Sequence, residues 1–190
     1  VSVATARLFV ALDLPAEPRA ALTAWAEREL SALPGVRLVA APALHLTLCF
    51  LGRREEADVE ALAAVVDACS SPPPSMRLEI GGPAWLPPRR PRVLAVDLAD
   101  PDASVAALHA RVSAALADIA AYEPEVRPFR PHVTVARAAR GARLRAFAPS
   151  PPPALRFAGE ALTLYRSRLG PDGARYEPVV RRPLAPAGTS

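Results

Sequence analysis

The chain contains no lysine, no asparagine and no glutamine, so all 23 of its basic side chains are arginine. Alanine is abundant and 23 of the 190 residues are proline, the drift that a GC-rich genome produces without selection on function. The number of arginines is therefore a poor guide to a basic binding surface. A formal net charge of +4 permits a polyanionic partner such as RNA without requiring one. The two cysteines, Cys49 and Cys69, are too few for a disulfide framework or a four-cysteine zinc site. No run approaches the ~20 apolar residues of a membrane span. Residues Val1 to Arg7 lack the charged start and apolar stretch of a signal peptide. These absences predict a soluble cytoplasmic protein. Against them stands an ordinary globular composition, 51% hydrophobic and 22% charged, with enough apolar surface to offset the entropy of ordering. The length suits one domain, or two small lobes sharing a core.

Arg7 to Asp13 (RLFVALD) predicts a short buried strand, and Leu22, Trp25, Leu30 and Leu33 follow at roughly helical spacing until Pro34-Gly35. Val36 to Val39 and Leu44 to Leu51 predict strands, the second closed by Gly52. Glu55 to Ala68 predicts a helix with Val59, Leu62 and Val66 on its apolar face. Pro72-Pro73-Pro74 breaks the chain, and Met76 to Ile80 alternates as a half-exposed strand should. The pattern then starts again. Arg92 to Leu98 (RVLAVDL) echoes the first strand, and Asp100-Pro101 predicts an N-cap with proline at the first helical position. Val105, Leu108, Val112, Leu116 and Ile119 give that helix its core face, and His132 to Val135 predicts a strand. Asp13 and Asp97 are 84 residues apart, and His45 and His132 are 87 apart. Such offsets suggest two similar α/β halves, although any strand–helix–strand protein matches itself at some offset. Farther on lies a basic stretch with Arg140, Arg143 and Arg145. Gly170-Pro171-Asp172-Gly173 then separates two runs, the signature of a hairpin.

Histidine is scarce, so each one carries weight. His45 stands in His45-Leu46-Thr47-Leu48 and His132 in His132-Val133-Thr134-Val135, both H-x-T-aliphatic on predicted strands. With six threonines in the chain, two of the three histidines matching by chance has a probability of roughly 0.3%. Side chains two apart on a strand share a face, so each His/Thr pair points one way while its aliphatic neighbours point into a core. If the halves are related by an approximate two-fold, both pairs face one cleft. Imidazole titrates near pH 6.5, so one ring can serve as base and the other as acid, while the hydroxyls donate to phosphoryl oxygens. That set suits phosphodiester hydrolysis without a metal. Two histidines with no adjacent carboxylate make a poor metal site. No G-x-S-x-G nucleophile motif is present. His109 reads as structural or surface. Cys49, two places after Thr47, lines the cleft by strand parity or is a buried strand cysteine.

Two H-x-T-x motifs in two similar halves resemble the 2H phosphoesterase superfamily, and within it the bacterial RNA 2′,3′-cyclic phosphodiesterases of the 2′-5′ RNA ligase family. RLFVALDLP, LHLTLCFLG, RPHVTVAR and LYRSRLGPDGARYEPV carry the resemblance, in order, across nearly the whole chain. It implies an α+β fold of two α/β lobes whose antiparallel sheets line a V-shaped cleft. Residues 1–183 would form one bilobal domain with halves of about 7–81 and 92–182, and 184–190 a mobile tail. It implies a metal-independent cyclic phosphodiesterase, with no cofactor, that opens an RNA 2′,3′-cyclic phosphate to a 2′-phosphate; the chain's size suits a compact monomer. His45 would be the proton donor and His132 the proton acceptor, with Thr47, Thr134 and Arg137 binding the phosphate.

Strict alternation puts Arg137 on the wrong face for that role, so it requires a bulge or a strand end, or it is a surface arginine. The same parity sends Phe50 to the core. Phe9 also defaults to the core, the alternative for both being stacking on a terminal base. Arg130, Arg140 and Arg143 are candidates for RNA phosphates or for a solvated basic loop. The competing functions are the same chemistry on a 2′-5′-linked RNA, a cyclic nucleotide or an ADP-ribose cyclic phosphate, 2′-5′ ligation as the reverse reaction, and a catalytically idle RNA-binding module.

Overall fold

The computed structural model describes residues 4–70, 76–119, 122–142, 144, 147–170 and 173–184. The predicted Pro72–Pro74 break, Arg143, Arg145, and Pro171 and Asp172 of the hairpin turn lie outside them. Each half of the chain builds strand, helix and strand. In the first, β1 (Thr5–Asp13) leads through α1 (Ala16–Leu30) and the short β2 (Val36–Leu38) to β3 (His45–Glu55). Next come α2 (Val59–Ala68) and β4 (Leu78–Leu86). In the second half, β5 (Val93–Ala99) leads through α3 (Ser104–Ile119) to β6 (His132–Ala138). The chain ends with β7 (Arg156–Phe157) and a long hairpin of β8 (Ala161–Gly170) and β9 (Gly173–Pro183), closed at Gly170 opposite Gly173.

The strands form one antiparallel sheet in the order β7-β4-β5-β6-β3-β1-β8-β9, with β2 on the free part of β6. Its two lobes join where β3 meets β6, at the pair Leu46–Val133. Leu46, Leu48, Val133 and Val135 point to the face covered by the helices, where they pack with Leu22 and Trp25 of α1, Leu62 and Val66 of α2, and Leu108 and Val112 of α3 in one continuous core. The opposite face of the same strands is left for the site.

The two-lobed α+β expectation holds, and the halves correspond in register. Asp13 pairs with His45 and Ala11 with Thr47, while Asp97 pairs with His132 and Ala95 with Thr134. Local expectations needed correction in five places. Gly52 does not close β3: with φ at +71° it turns within a strand that continues to Glu55, because β1 goes on pairing as far as Thr5–Glu55. The helix expected from Glu55 therefore starts only at Val59, after a 3₁₀ turn. The strand expected at Met76–Ile80 instead starts at Leu78 and runs on to Leu86, crossing an irregularity between Ile80 and Pro83. Asp100 does cap α3, its carboxylate accepting from the Val105 and Ala106 amides at 3.3 and 2.8 Å, but the helix begins at Ser104. Pro101 sits in the preceding turn, which Ala103 closes with φ at +53°. At the C-terminus Leu184 is buried and its amide donates to the Glu160 carbonyl at 2.9 Å, so the expected tail does not begin there. Residues 185–190 lie outside the described residues.

One buried carboxylate ties the C-terminal hairpin to β1. Asp13 accepts hydrogen bonds from Thr163 Oγ1 at 3.0 Å, Tyr165 OH at 2.9 Å and Arg181 Nε at 2.8 Å. Hydrogen bonds to an ionised acceptor contribute about 1.5–3 kcal/mol each, and a donor stranded in the core adds a penalty. Asp13→Ala strands the fully buried Thr163 hydroxyl. It is expected to lower the unfolding free energy by about 3 kcal/mol or more in urea denaturation. A loss below about 0.5 kcal/mol, the range of ordinary surface changes, would show that the hairpin does not depend on this carboxylate.

Candidate active site

A pairing of Leu46 with Val133 turns both middle residues of the H-x-T triplets into the core. The flanking residues of both triplets must then share the other face. In an antiparallel pair centred there, His45 stands across from Thr134 and Thr47 across from His132. All four side chains line one cleft of about 430 Å³.

Both rings are held in the same way. His45 Nδ1 lies 2.7 Å from the Ala43 carbonyl and His132 Nδ1 lies 2.8 Å from the Arg130 carbonyl, in each case two residues back. A carbonyl only accepts, so Nδ1 carries the proton and donates. Each Nε2 is left for the cleft. His45 Nε2 is 3.1 Å from Thr47 Oγ1, which donates to it in the neutral ring.

The surroundings of the rings differ. His45 is enclosed by aromatic groups: Phe9 at 4.9 Å, Tyr176 edge-on at 5.2 Å and Tyr165 at 6.0 Å between ring centres. Loss of water is the main cause that lowers its pKa, to about 4. The Ala43 hydrogen bond and the Asp13 charge act the other way, and Arg137 and His132 lower it further. Burial and the Asp13 charge also push the Tyr165 hydroxyl up, so it stays a donor. In the second half Asp97 is the counterpart of Asp13. Its Oδ2 takes an ion pair from Arg130 at 2.6 Å, which commits a side chain that was one candidate for RNA phosphates. The Arg130 backbone meanwhile orients His132.

Arg137 lines the cleft despite its parity. The register runs Ala95–Thr134 and then Leu94–Ala136, so Val135 has no opposite partner. This is a β-bulge, and the strand switches face after it: Val135 and Ala136 are both buried, and Arg137 turns to the cleft. The first motif carries the same device. Ala11 pairs with Thr47 and Val10 with Cys49, leaving Leu48 as the extra residue. Phe50 is therefore not a core residue: it is 57% exposed on the cleft wall. Cys49 turns inward instead of lining the cleft. Burial raises its thiol pKa to about 11, and it bonds to Tyr122. Phe9 is both buried and part of the cleft lining, the ring against which His45 rests.

Two cleft arginines escaped the sequence reading, Arg7 on β1 and Arg37 on β2, the latter directly opposite Arg137. Among the described residues none of the three meets a carboxylate within 4 Å. Arg140 is exposed in the loop after β6 and does not line the cleft. His109 stacks on Phe129 at 4.1 Å, away from the cleft. Among the described residues no group of three or more His, Cys, Asp or Glu could hold a metal ion, and no helix is long and apolar enough to cross a membrane.

The chain matches the model of the 2′-5′ RNA ligase superfamily over residues 14–171. It is 33% identical over 177 residues to the RNA 2′,3′-cyclic phosphodiesterase of Escherichia coli (strain K12), covering 92% of this chain and 94% of that one. It is 34% identical over 177 residues to the RNA 2′,3′-cyclic phosphodiesterase of Thermus thermophilus, covering 90% and 86%. The crystal structure of E. coli LigT complexed with 3′-AMP superposes with a TM-score of 0.79 at 30% identity, covering 96% of this chain and all of that one.

In the free protein, NMR titration of His45 is expected to give a midpoint near 4, and inorganic phosphate in the cleft is expected to raise it. The folded ring resists protonation, so its contribution to stability is full above pH ~6.5 and is lost as pH falls toward 4. A free-protein midpoint at the ordinary histidine value would show that the aromatic enclosure does not desolvate the ring.

Proposed function

The chain belongs to the 2′-5′ RNA ligase superfamily, and we propose that it is an RNA 2′,3′-cyclic phosphodiesterase that works by paired-histidine acid–base catalysis without a metal. The observation that carries this reading is the matched presentation of two imidazole Nε2 atoms on one cleft, each with its Nδ1 proton committed to a backbone carbonyl. Similarity across nearly the full length to RNA 2′,3′-cyclic phosphodiesterases supports the substrate class.

The reaction follows from the tautomers. With Nδ1–H held by Arg130, the neutral His132 offers the Nε2 lone pair to a water molecule and takes its proton as the oxygen attacks phosphorus. The bond from phosphorus to the 3′-oxygen breaks, and His45 Nε2–H gives its proton to that oxygen, leaving a 2′-phosphomonoester. Thr47 and Thr134 donate to the phosphoryl oxygens, and Arg137 adds a forked cationic donor. His45 must enter this step as imidazolium although burial favours its neutral form. The phosphodiester anion supplies the missing compensation, so the acid is charged only with substrate in place. Both motifs come from one chain, which supports a catalytic unit that is a monomer with two lobes on one core.

If the 5′-hydroxyl of a second RNA takes the place of water, the same site opens the cyclic phosphate to a 2′-5′ linkage with the 3′-oxygen as leaving group, and an excess of water favours hydrolysis. His45→Ala and His132→Ala are each expected to lower turnover of an RNA ending in a 2′,3′-cyclic phosphate by about 10²–10⁴-fold. The wild type should keep its rate in a chelator and yield a 2′-phosphate. Turnover that survives either substitution, or that EDTA abolishes, would overturn the proposal.

A further inference from the structure

A second basic depression lies beyond the cleft. It measures about 410 Å³ and is lined by Arg89, Arg90, Pro91, Arg92, Ala142 and Leu144, with no carboxylate among them. Arg89 and Arg90 are exposed, on a turn closed by the Arg90 amide on the Pro87 carbonyl at 3.2 Å. Arg92 Nη1 donates to the Ala142 carbonyl at 3.4 Å, which joins the two walls. Elsewhere on this arginine-only surface the guanidinium groups are widely matched to acids, as Arg166 is to Glu56, Arg182 to Asp67 and Arg156 to Glu79. Three cations gathered in a concavity with no acid among its described lining residues repel one another, and an anionic partner relieves that cost.

The position of this groove ties it to the site. Arg37, Arg137 and Val93 stand side by side across β2, β6 and β5. One residue on, the Ala138 amide donates to the Arg92 carbonyl at 2.7 Å, so these backbones are one strand spacing apart, about 4.8 Å. Among the described residues, arginines that meet no carboxylate within 4 Å thus stand both at the β6 end of the cleft, Arg37 and Arg137, and one residue along the neighbouring strand at Arg92 of the groove.

We propose that the Arg89–Arg92 groove binds backbone phosphates of the RNA strand upstream of the reacting end, so that a polynucleotide is held at two places and a mononucleotide at one. The proposal rests on the RNA-end reading of the cleft and extends it to the length of the substrate.

The test compares affinities for 2′-AMP and for an RNA of about ten nucleotides ending in a 2′-phosphate, with wild type, R89A/R90A and R89E/R90E. Both arginines are exposed loop residues outside the catalytic cleft. The charge-reversed variant is expected to bind the oligonucleotide at least about tenfold more weakly while binding 2′-AMP as wild type does. Loss of two phosphate contacts on a single strand should make the slope of log K against log salt shallower by about 1.4. Oligonucleotide affinity and salt slope unchanged in both variants, or 2′-AMP binding weakened equally, would overturn the proposal. Absence of any cyclic-phosphate turnover by wild type would instead sink the catalytic reading, and the binding comparison would still decide this one.

Discussion

The whole site hangs on one short stretch of backbone pairing, where β3 meets β6 at Leu46 and Val133. Both residues are fully buried, and each is the middle of an H-x-T triplet. Two aliphatic side chains drawn into one core therefore force four polar ones out on the other side. A slip of one residue in either strand would bury a histidine and a threonine and expose a leucine or a valine, so core packing and cleft assembly are the same constraint. The β-bulges that follow extend it. After Leu48 and after Val135 each strand changes face, which delivers an exposed aromatic, Phe50, from one half and a cation, Arg137, from the other. The pseudo-repeat thus supplies equivalent positions, and side-chain identity differentiates them into one wall suited to a flat ring and another suited to a phosphate.

The two histidines are similar in backbone geometry and unlike in environment. Both are oriented by a carbonyl two residues upstream. His45 is then wrapped by Phe9, Tyr165 and Tyr176, while no aromatic ring packs on His132 among the described residues. Enclosure disfavours charge on His45 until an anion arrives. As the proposed acid, His45 would become competent only with substrate bound and would not attract stray anions strongly when the cleft is empty. Asp13 moderates this from behind, through the network that also ties in Thr163, Tyr165 and Arg181, so the carboxylate that fastens the hairpin to the sheet also biases the ring.

The H-x-T spacing made the cleft legible because a period of two is all that is needed to put His45 with Thr47 and His132 with Thr134 on a face. The echo of RLFVALD in RVLAVDL was equally informative, since the aspartates it aligned, Asp13 and Asp97, proved to be the register partners of the two histidines. Parity failed at Cys49, Phe50 and Arg137, all beyond a bulge. A bulge is set by the partner strand and leaves no mark on a run such as LCFL or VARA. Arg7 and Arg37 were invisible for a different reason. In a chain whose every cation is arginine, only pairing across strands separates those that face a cleft from those that face solvent. Helix starts slipped where a turn intervened, as between Asp100 and Ser104, because a carboxylate can cap a helix from across a turn as well as from the adjoining residue.

In the proposed mechanism His45 and His132 act as one unit on a single phosphorus centre. A double-mutant cycle on turnover, comparing His45→Ala, His132→Ala and the double variant with wild type, tests it most directly. Groups that serve one transition state are strongly non-additive, because once one is missing the other has little left to stabilise. The double variant is expected to be only slightly slower than the worse single one. Losses that multiply in full would show two independent contributions and contradict it.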